Sequence, residues 1–264
     1  MQTYTRINGF DMFYRDEGTG IPLLLIHGFP LTGDIWRPQV EALSPKARVI
    51  VPDLRGFGRS GVTEGASTMD VFAGDLKSLL DGLGVEKAVI AGISMGGYVA
   101  FAFYRLYASS VRALILLDTK PGADSEQGKA GRLELARSAR NGEMERIADD
   151  WAGKLFDPSM VSTNPDVVRE VRGAIYRSSP EGLANASLGM MERPDSTPML
   201  KDIDCPCLIM VGGNDTITTP REAGSMAIGI KGARAEVIKG AGHLTCLEAP
   251  EQVNGLMTSF LSGL

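Results

Sequence analysis

The residues best suited to chemistry lie in Gly92-Ile93-Ser94-Met95-Gly96. A serine hydroxyl is a poor nucleophile until a base takes its proton. The Gly-x-Ser-x-Gly spacing is that of a nucleophile elbow, where serine stands on a tight turn from strand to helix. Glycine is needed at 92 and 96 because side chains there would strike the neighbouring backbone. A helix starting directly after Ser94 would also point its dipole at developing negative charge. The competing reading is a glycine-rich turn with a solvated serine. Two histidines, His27 and His243, are available as bases. His27 ends the apolar run Leu23-Leu24-Leu25-Ile26 and reads as an anchor of its own loop through hydrogen bonds. His243, in Gly240-Ala241-Gly242-His243-Leu244, has small neighbours and is free to reach over the elbow. It is the expected general base.

Such an imidazole needs a carboxylate to fix its tautomer and to stabilise the imidazolium. Asp215 follows Val211-Gly212-Gly213-Asn214 and precedes Thr216-Ile217-Thr218; Asp118 follows Leu116-Leu117. Both come just after strand-like runs. Asp215 is preferred, because paired glycines suit a defined loop geometry; Asp118 otherwise reads as a cap hinge or an N-cap. An oxyanion hole needs two backbone N–H groups. One belongs to Met95, after the nucleophile; the other is expected from Phe29. The expected substrate pocket is apolar, built from Phe29, Leu31, Trp36, Ile217 and Leu244. Leu244 has an equal reading as interior packing. Trp36 either floors the pocket mouth or staples its helix to the body.

The elements that must position these residues follow from the hydrophobic pattern. Tyr4–Ile7 and Phe10–Asp16 alternate around Asn8-Gly9, a hairpin signal. Residues 22–26, 89–93, 113–117 and 207–211 are apolar runs, as expected of strands covered on both faces, and Arg48-Val49-Ile50-Val51 reads as another buried strand. Helical spacing separates them, at 36–43 and at 69–83, where Val71, Phe72, Leu76, Leu79, Leu80 and Leu83 recur. This alternation predicts a parallel, doubly wound α/β sheet behind an antiparallel start. Between about residues 120 and 197 the strand-like runs stop. Helix-prone segments at 126–141, 143–156, 165–176 and 180–191 predict a helical cap inserted into a core of residues 1–119 and 198–264. The core resumes with a strand near 235–238 and helices near 221–230 and 250–261. Met190 and Met191 either line substrate access or fill the cap interior. Arg55 and Arg59 read as salt-bridged loop residues rather than an anion site, and Cys246 as a packed residue rather than a working thiol.

Composition narrows the partners. The chain has 264 residues, a formal net charge of −5 and 44% hydrophobic residues. An acidic chain does not attract nucleic acid or anionic membranes, and no apolar run approaches the roughly 20 residues of a membrane span. Three cysteines give no disulfide framework. With no apolar leader at Met1–Arg6, the expected compartment is the cytoplasm. With so few histidines, neither a metal nor a cofactor is expected.

These motifs together carry a resemblance. His27-Gly28-Phe29-Pro30, Asp53-Leu54-Arg55-Gly56-Phe57-Gly58-Arg59-Ser60, Gly92-Ile93-Ser94-Met95-Gly96-Gly97, Asp215 and Gly242-His243 stand in the order of the α/β-hydrolase superfamily, Ser then Asp then His. The chain resembles its small capped carboxylesterases, the enol-lactonase-like and peroxidase-like group. The resemblance implies an eight-stranded sheet and a serine carboxylester hydrolase acting on small short-acyl esters, with lactone hydrolysis or perhydrolysis as alternatives on the same residues. It also implies that Ser94 replaces the Asp of haloalkane dehalogenases and epoxide hydrolases, which disfavours those chemistries. The single His-Gly before Phe29, without the glycine run of some lipases, implies small alcohol groups. A non-catalytic ligand receptor on the same fold is the competing class.

Overall fold

In the computed structural model, which describes residues 2–264, the chain opens with β1 (Gln2–Ile7) and β2 (Phe10–Glu17). Met1, the first residue of the expected leaderless start, lies outside the described residues. Asn8 and Gly9 both take positive φ, 44° and 92°, as a two-residue hairpin turn requires. Strand β3 (Ile21–Ile26) leads through a 3₁₀ turn (Gly33–Trp36) to α1 (Arg37–Leu43) and β4 (Ala47–Pro52). Helix α2 (Met69–Gly82), β5 (Ala88–Ile93), α3 (Met95–Tyr107) and β6 (Val111–Leu117) follow. Then come the helices α4 (Glu126–Arg140), α5 (Met144–Leu155), α6 (Met160–Thr163), α7 (Pro165–Tyr176) and α8 (Pro180–Met191). A 3₁₀ turn (Thr197–Asp202), β7 (Cys207–Gly212), α9 (Pro220–Gly229), β8 (Arg234–Ile238), α10 (Thr245–Glu248) and α11 (Pro250–Leu261) complete the chain.

The strands form one sheet in the order β1-β2-β4-β3-β5-β6-β7-β8. Only the β1–β2 and β2–β4 pairs are antiparallel; the others run parallel. The expected α/β architecture with an antiparallel start is therefore what the chain adopts. Its central strands explain their composition. β5 is buried at every position, and an apolar run without alternation is what a strand covered on both faces requires. β8, at the edge, is mostly exposed and carries Arg234 and Glu236.

The turns at 33–36 and 197–202 and the four-residue helices α6 and α10 fall outside the sequence expectations. They are too short for a 3.6-residue period to register. In the helical segment after β6, the order of helices follows the expected spans. There α4 packs on α8 and α5 on α7. The segment is fastened to the loops above the sheet by backbone contact. Asn185 Nδ2 donates to Thr63 O at 2.9 Å, and Ser67 N donates to Asn185 O at 3.0 Å. At Gly182, a Cβ would lie 2.0 Å from Gly56 O. No helix among the described residues is long and apolar enough to cross a membrane.

Because backbone, not a flexible side chain, faces Gly182, the contact has no room to yield. Gly182→Ala should destabilise the protein by about 1–3 kcal/mol, the usual range for overpacking. Urea denaturation would check this; an unchanged midpoint would show that α8 is not seated so closely.

Candidate active site

Ser94 lies between β5 and α3 with φ 54° and ψ −117°, a left-handed conformation that a side chain rarely adopts. The neighbours enforce it. A Cβ on Gly92 would sit 2.2 Å from Gly96 O, and one on Gly96 would sit 2.3 Å from Ile26 O. The turn thus crosses itself and β3 at distances only glycine permits. Ser94 is half-buried, so its hydroxyl stays reachable while its backbone is fixed.

The hydroxyl meets the expected base. His243 Nε2 is 2.8 Å from Ser94 Oγ, and His243 Nδ1 is 2.8 Å from Asp215 Oδ2. Asp215 then uses its remaining acceptor positions on its own loop. Oδ1 accepts from Ile217 N at 2.8 Å and Thr218 N at 3.0 Å. Oδ2 accepts from Thr218 Oγ1 at 2.6 Å. Burial pushes the Asp215 carboxyl up, but the hydrogen bond and charge of His243 and the bonds from Thr218 outweigh it and leave its pKa below the ordinary value. A carboxylate so placed stays ionised and orients Nδ1–H, which leaves Nε2 to accept the serine proton.

Asp118, the rival acid, is brought close but is otherwise engaged. It accepts from Gly212 N at 2.9 Å and from Thr245 Oγ1 at 2.6 Å. Its backbone φ is 42°. Burial pushes its pKa up to about 7, against the charge of His243 and the bond from Thr245. It is not the partner of His243 Nδ1, which bonds Asp215. His27 anchors its loop, wholly buried. Its Nε2 accepts from Leu54 N at 3.0 Å and Nδ1 lies 2.9 Å from Gly28 O, which places the proton on Nδ1. Burial pushes its pKa down, so it is held neutral.

The loop after β3 faces the elbow closely: a Cβ on Gly28 would be 3.2 Å from Ser94 Cβ. Met95 is the first residue of α3, where an amide has no acceptor within the helix. Phe29, in a cis peptide with Pro30, sets its ring edge-on to Phe57 and Trp151, at centroid distances of 6.1 and 5.3 Å. The other expected pocket residues scatter. Leu31 lines a largely apolar cavity with Ile35, Val171 and Ala174 beneath α7. Ile217 is half-buried and gives its N–H to Asp215. Trp36 and Leu244 have no exposed surface. Arg55 is paired with Asp75 at 2.5 Å, and Arg59 with Asp53 at 3.1 Å and Asp34 at 2.8 Å. Met190 and Cys246 are buried, and burial pushes the Cys246 thiol well up.

The profile of the alpha/beta hydrolase fold matches residues 21–250. The chain belongs to this family. A thermophilic esterase from Thermogutta terrifontis is 41% identical and superposes with a TM-score of 0.96, over 100% of this chain and 98% of that one. A non-heme haloperoxidase of Rhodococcus erythropolis is 29% identical over 99% of both chains. A 3-oxoadipate enol-lactonase of Acinetobacter baylyi is 29% identical over 87% of this chain and 84% of its own. The protein is thus an alpha/beta hydrolase.

Three residues of this alpha/beta hydrolase that do structural work around the site escaped the sequence reading. Asp53, quoted only as part of a loop motif, is buried and accepts from Gly33 N at 2.8 Å and Arg59 N at 2.9 Å. It ties the loop bearing Phe29 to the end of β4. Thr218 bridges Asp215 and, at 3.2 Å, His243 Nδ1; its Asp-x-x-Thr spacing is the one signal that marks it. Glu248 accepts from Gly242 N and Leu244 N, each at 3.0 Å, on both sides of His243. It also accepts from Asp157 N at 2.8 Å. Among the described residues no group of three His, Cys, Asp or Glu is placed to hold a metal.

The buried acids oppose one another in their effect on stability. Asp118, with its raised pKa, keeps its proton in the folded state after the unfolded chain has lost it. Its contribution is complete below its ordinary value of 3.8 and is lost as pH rises through about 7. Asp215, depressed, contributes above its ordinary 3.8 and loses this only in acid. Asp118→Asn should therefore flatten the decline in unfolding free energy between about pH 4 and pH 7. Urea titrations at pH 5 and 7.5 measure it; an identical decline in wild type and variant would refute the assignment.

Proposed function

We propose that the protein is a serine carboxylester hydrolase for small, uncharged, short-acyl esters. The observation that carries this reading is the continuous relay Ser94 Oγ–His243 Nε2 and His243 Nδ1–Asp215 Oδ2, 2.8 Å at each link. A strained serine, an imidazole and a saturated buried carboxylate meet from three separate loops, which packing alone does not require.

The reaction follows from the geometry. Ser94 Oγ attacks the ester carbonyl carbon while Nε2 takes its proton. The carbonyl oxygen, now negative, is held by the amides of Phe29 and Met95, helped by the N-terminal dipole of α3. The intermediate collapses, the C–O bond to the alcohol breaks, and the imidazolium returns its proton to the departing oxygen. Water then gives a proton to Nε2 and attacks the acyl carbon, and Ser94 leaves with that proton. Asp215 stays ionised throughout and stabilises each imidazolium.

Substrate selection is assigned to the helical segment between residues 120 and 197, acting as a cap. It lays Trp151 against Phe29, and its Leu155 O accepts from His243 N at 3.1 Å. A neutral substrate fits the neighbourhood, since Arg55 and Arg59 are already neutralised by Asp75 and Asp53. A second reading keeps the machinery and changes the acyl compound or acceptor. Likeness to an enol-lactonase favours a cyclic ester, and likeness to a haloperoxidase favours hydrogen peroxide in place of water. A receptor without turnover would have no use for the complete relay.

Ser94→Ala should lower turnover of a chromogenic short-chain ester by about 10⁴- to 10⁶-fold and leave the fold intact by circular dichroism. A panel of esters and lactones graded by acyl length would separate the readings. Retention of most activity in Ser94→Ala would remove the nucleophile assignment, and an inert wild type across the panel would favour the receptor.

A further inference from the structure

Strand β6 lies between the strand that ends in the nucleophile and the strand that ends in the acid. Its last residue and the two that follow touch all three loops of the relay. Leu117 O accepts from Ser94 N at 2.9 Å. Thr119 Oγ1 donates to Ser94 O at 2.8 Å. Between them Asp118 turns its carboxylate the other way. Oδ1 accepts from Gly212 N at 2.9 Å, three residues before Asp215. Oδ2 accepts from Thr245 Oγ1 at 2.6 Å and Thr245 N at 3.2 Å, two residues after His243. Gly212 is itself pressed on the base loop, since a Cβ there would lie 1.8 Å from Gly242 O.

We propose that Asp118 is a positioning residue for the hydrolysis, setting the spacing of the Asp215 and His243 loops over the elbow. The assignment rests on the reading of Ser94, His243 and Asp215 as nucleophile, base and acid. The geometry separates it from general packing. Asp118 is wholly buried and held at a φ of 42°, a strained conformation that points its carboxylate toward both loops. Both oxygens are used on those loops, while His243 Nδ1 bonds Asp215. A displacement of about 1 Å in such a relay is enough to cost on the order of 100-fold in rate. The ionisable groups that act on or feel Asp118 are His243, Asp215 and Cys246.

Asp118→Asn tests this, because the amide keeps the size but offers one acceptor oxygen in place of two. Measured with p-nitrophenyl acetate at pH 8, kcat should fall about 10- to 100-fold with KM little changed. Fluorophosphonate labelling of Ser94 should slow in parallel. Thr245→Val, which loses only the hydroxyl bond, should show a smaller fall in the same direction, and Thr245→Ser should restore activity close to wild type. A folded Asp118→Asn enzyme with wild-type kcat would overturn the proposal, as would a loss carried by KM alone. If that variant does not fold, the Thr245 pair decides: equal kcat in Thr245→Val and Thr245→Ser overturns it. A wild type inert to both ester and fluorophosphonate overturns the nucleophile reading itself and this proposal with it, whereas an active wild type beside an unaffected variant overturns this proposal alone.

Discussion

The structure depends on one local constraint, the left-handed backbone of Ser94. That conformation persists only because its surroundings over-determine it. Ser94 N is held by Leu117 O and Ser94 O by Thr119 Oγ1. Gly92 and Gly96 let the turn close upon itself and on the end of β3. The buried ends of β5 and β6 beside it leave the turn no freedom to relax. Strain is therefore placed where the reactive hydroxyl must project, and the sheet beneath it supplies the rigidity.

A second theme is how the loops above the sheet are joined. Each is drawn to its neighbours by a buried or mostly buried carboxylate that collects backbone N–H groups. Asp53 gathers the loops after β3 and β4, Asp118 those after β7 and β8, Asp215 its own turn, and Glu248 both flanks of His243 together with Asp157. Loop amides buried away from water must find acceptors, and a carboxylate can satisfy several at once. The same arrangement fixes the geometry of the relay. The helical segment joins it through Asp157, whose Oδ2 accepts from Asn214 Nδ2 at 2.7 Å beside Asp215. The helical segment is thus tied to the loops that bear Asp215 and His243.

Much of this was legible in the residues. The hairpin at Asn8-Gly9, the buried runs that became β3 to β7 and the spans of α7, α8 and α11 follow from turn chemistry and periodicity. The meeting of Ser94, His243 and Asp215 was legible because each follows a strand, and the carboxyl ends of parallel strands share one edge. The pocket was not. Apolar character alone cannot distinguish a residue that lines a cavity from one that packs: Leu31 lines a cavity beneath α7, and Trp36 and Leu244 are wholly buried. Trp151 went unremarked because nothing in a helical pattern announces that it will meet Phe29.

The sequence by itself determined the strand and helix order, the elbow and the identity of the groups able to form the relay, since these rest on local sterics and on short-range pattern. Only the tertiary structure decided between Asp215 and Asp118. Both are acids just past a buried strand, and their difference is which donors surround them: Asp215 faces the imidazole, while Asp118 faces Gly212 and Thr245. That choice depends on the strand order, which places β6 between the elbow and the acid loop, and on contacts between residues 28 to 127 positions apart. No local rule encodes those.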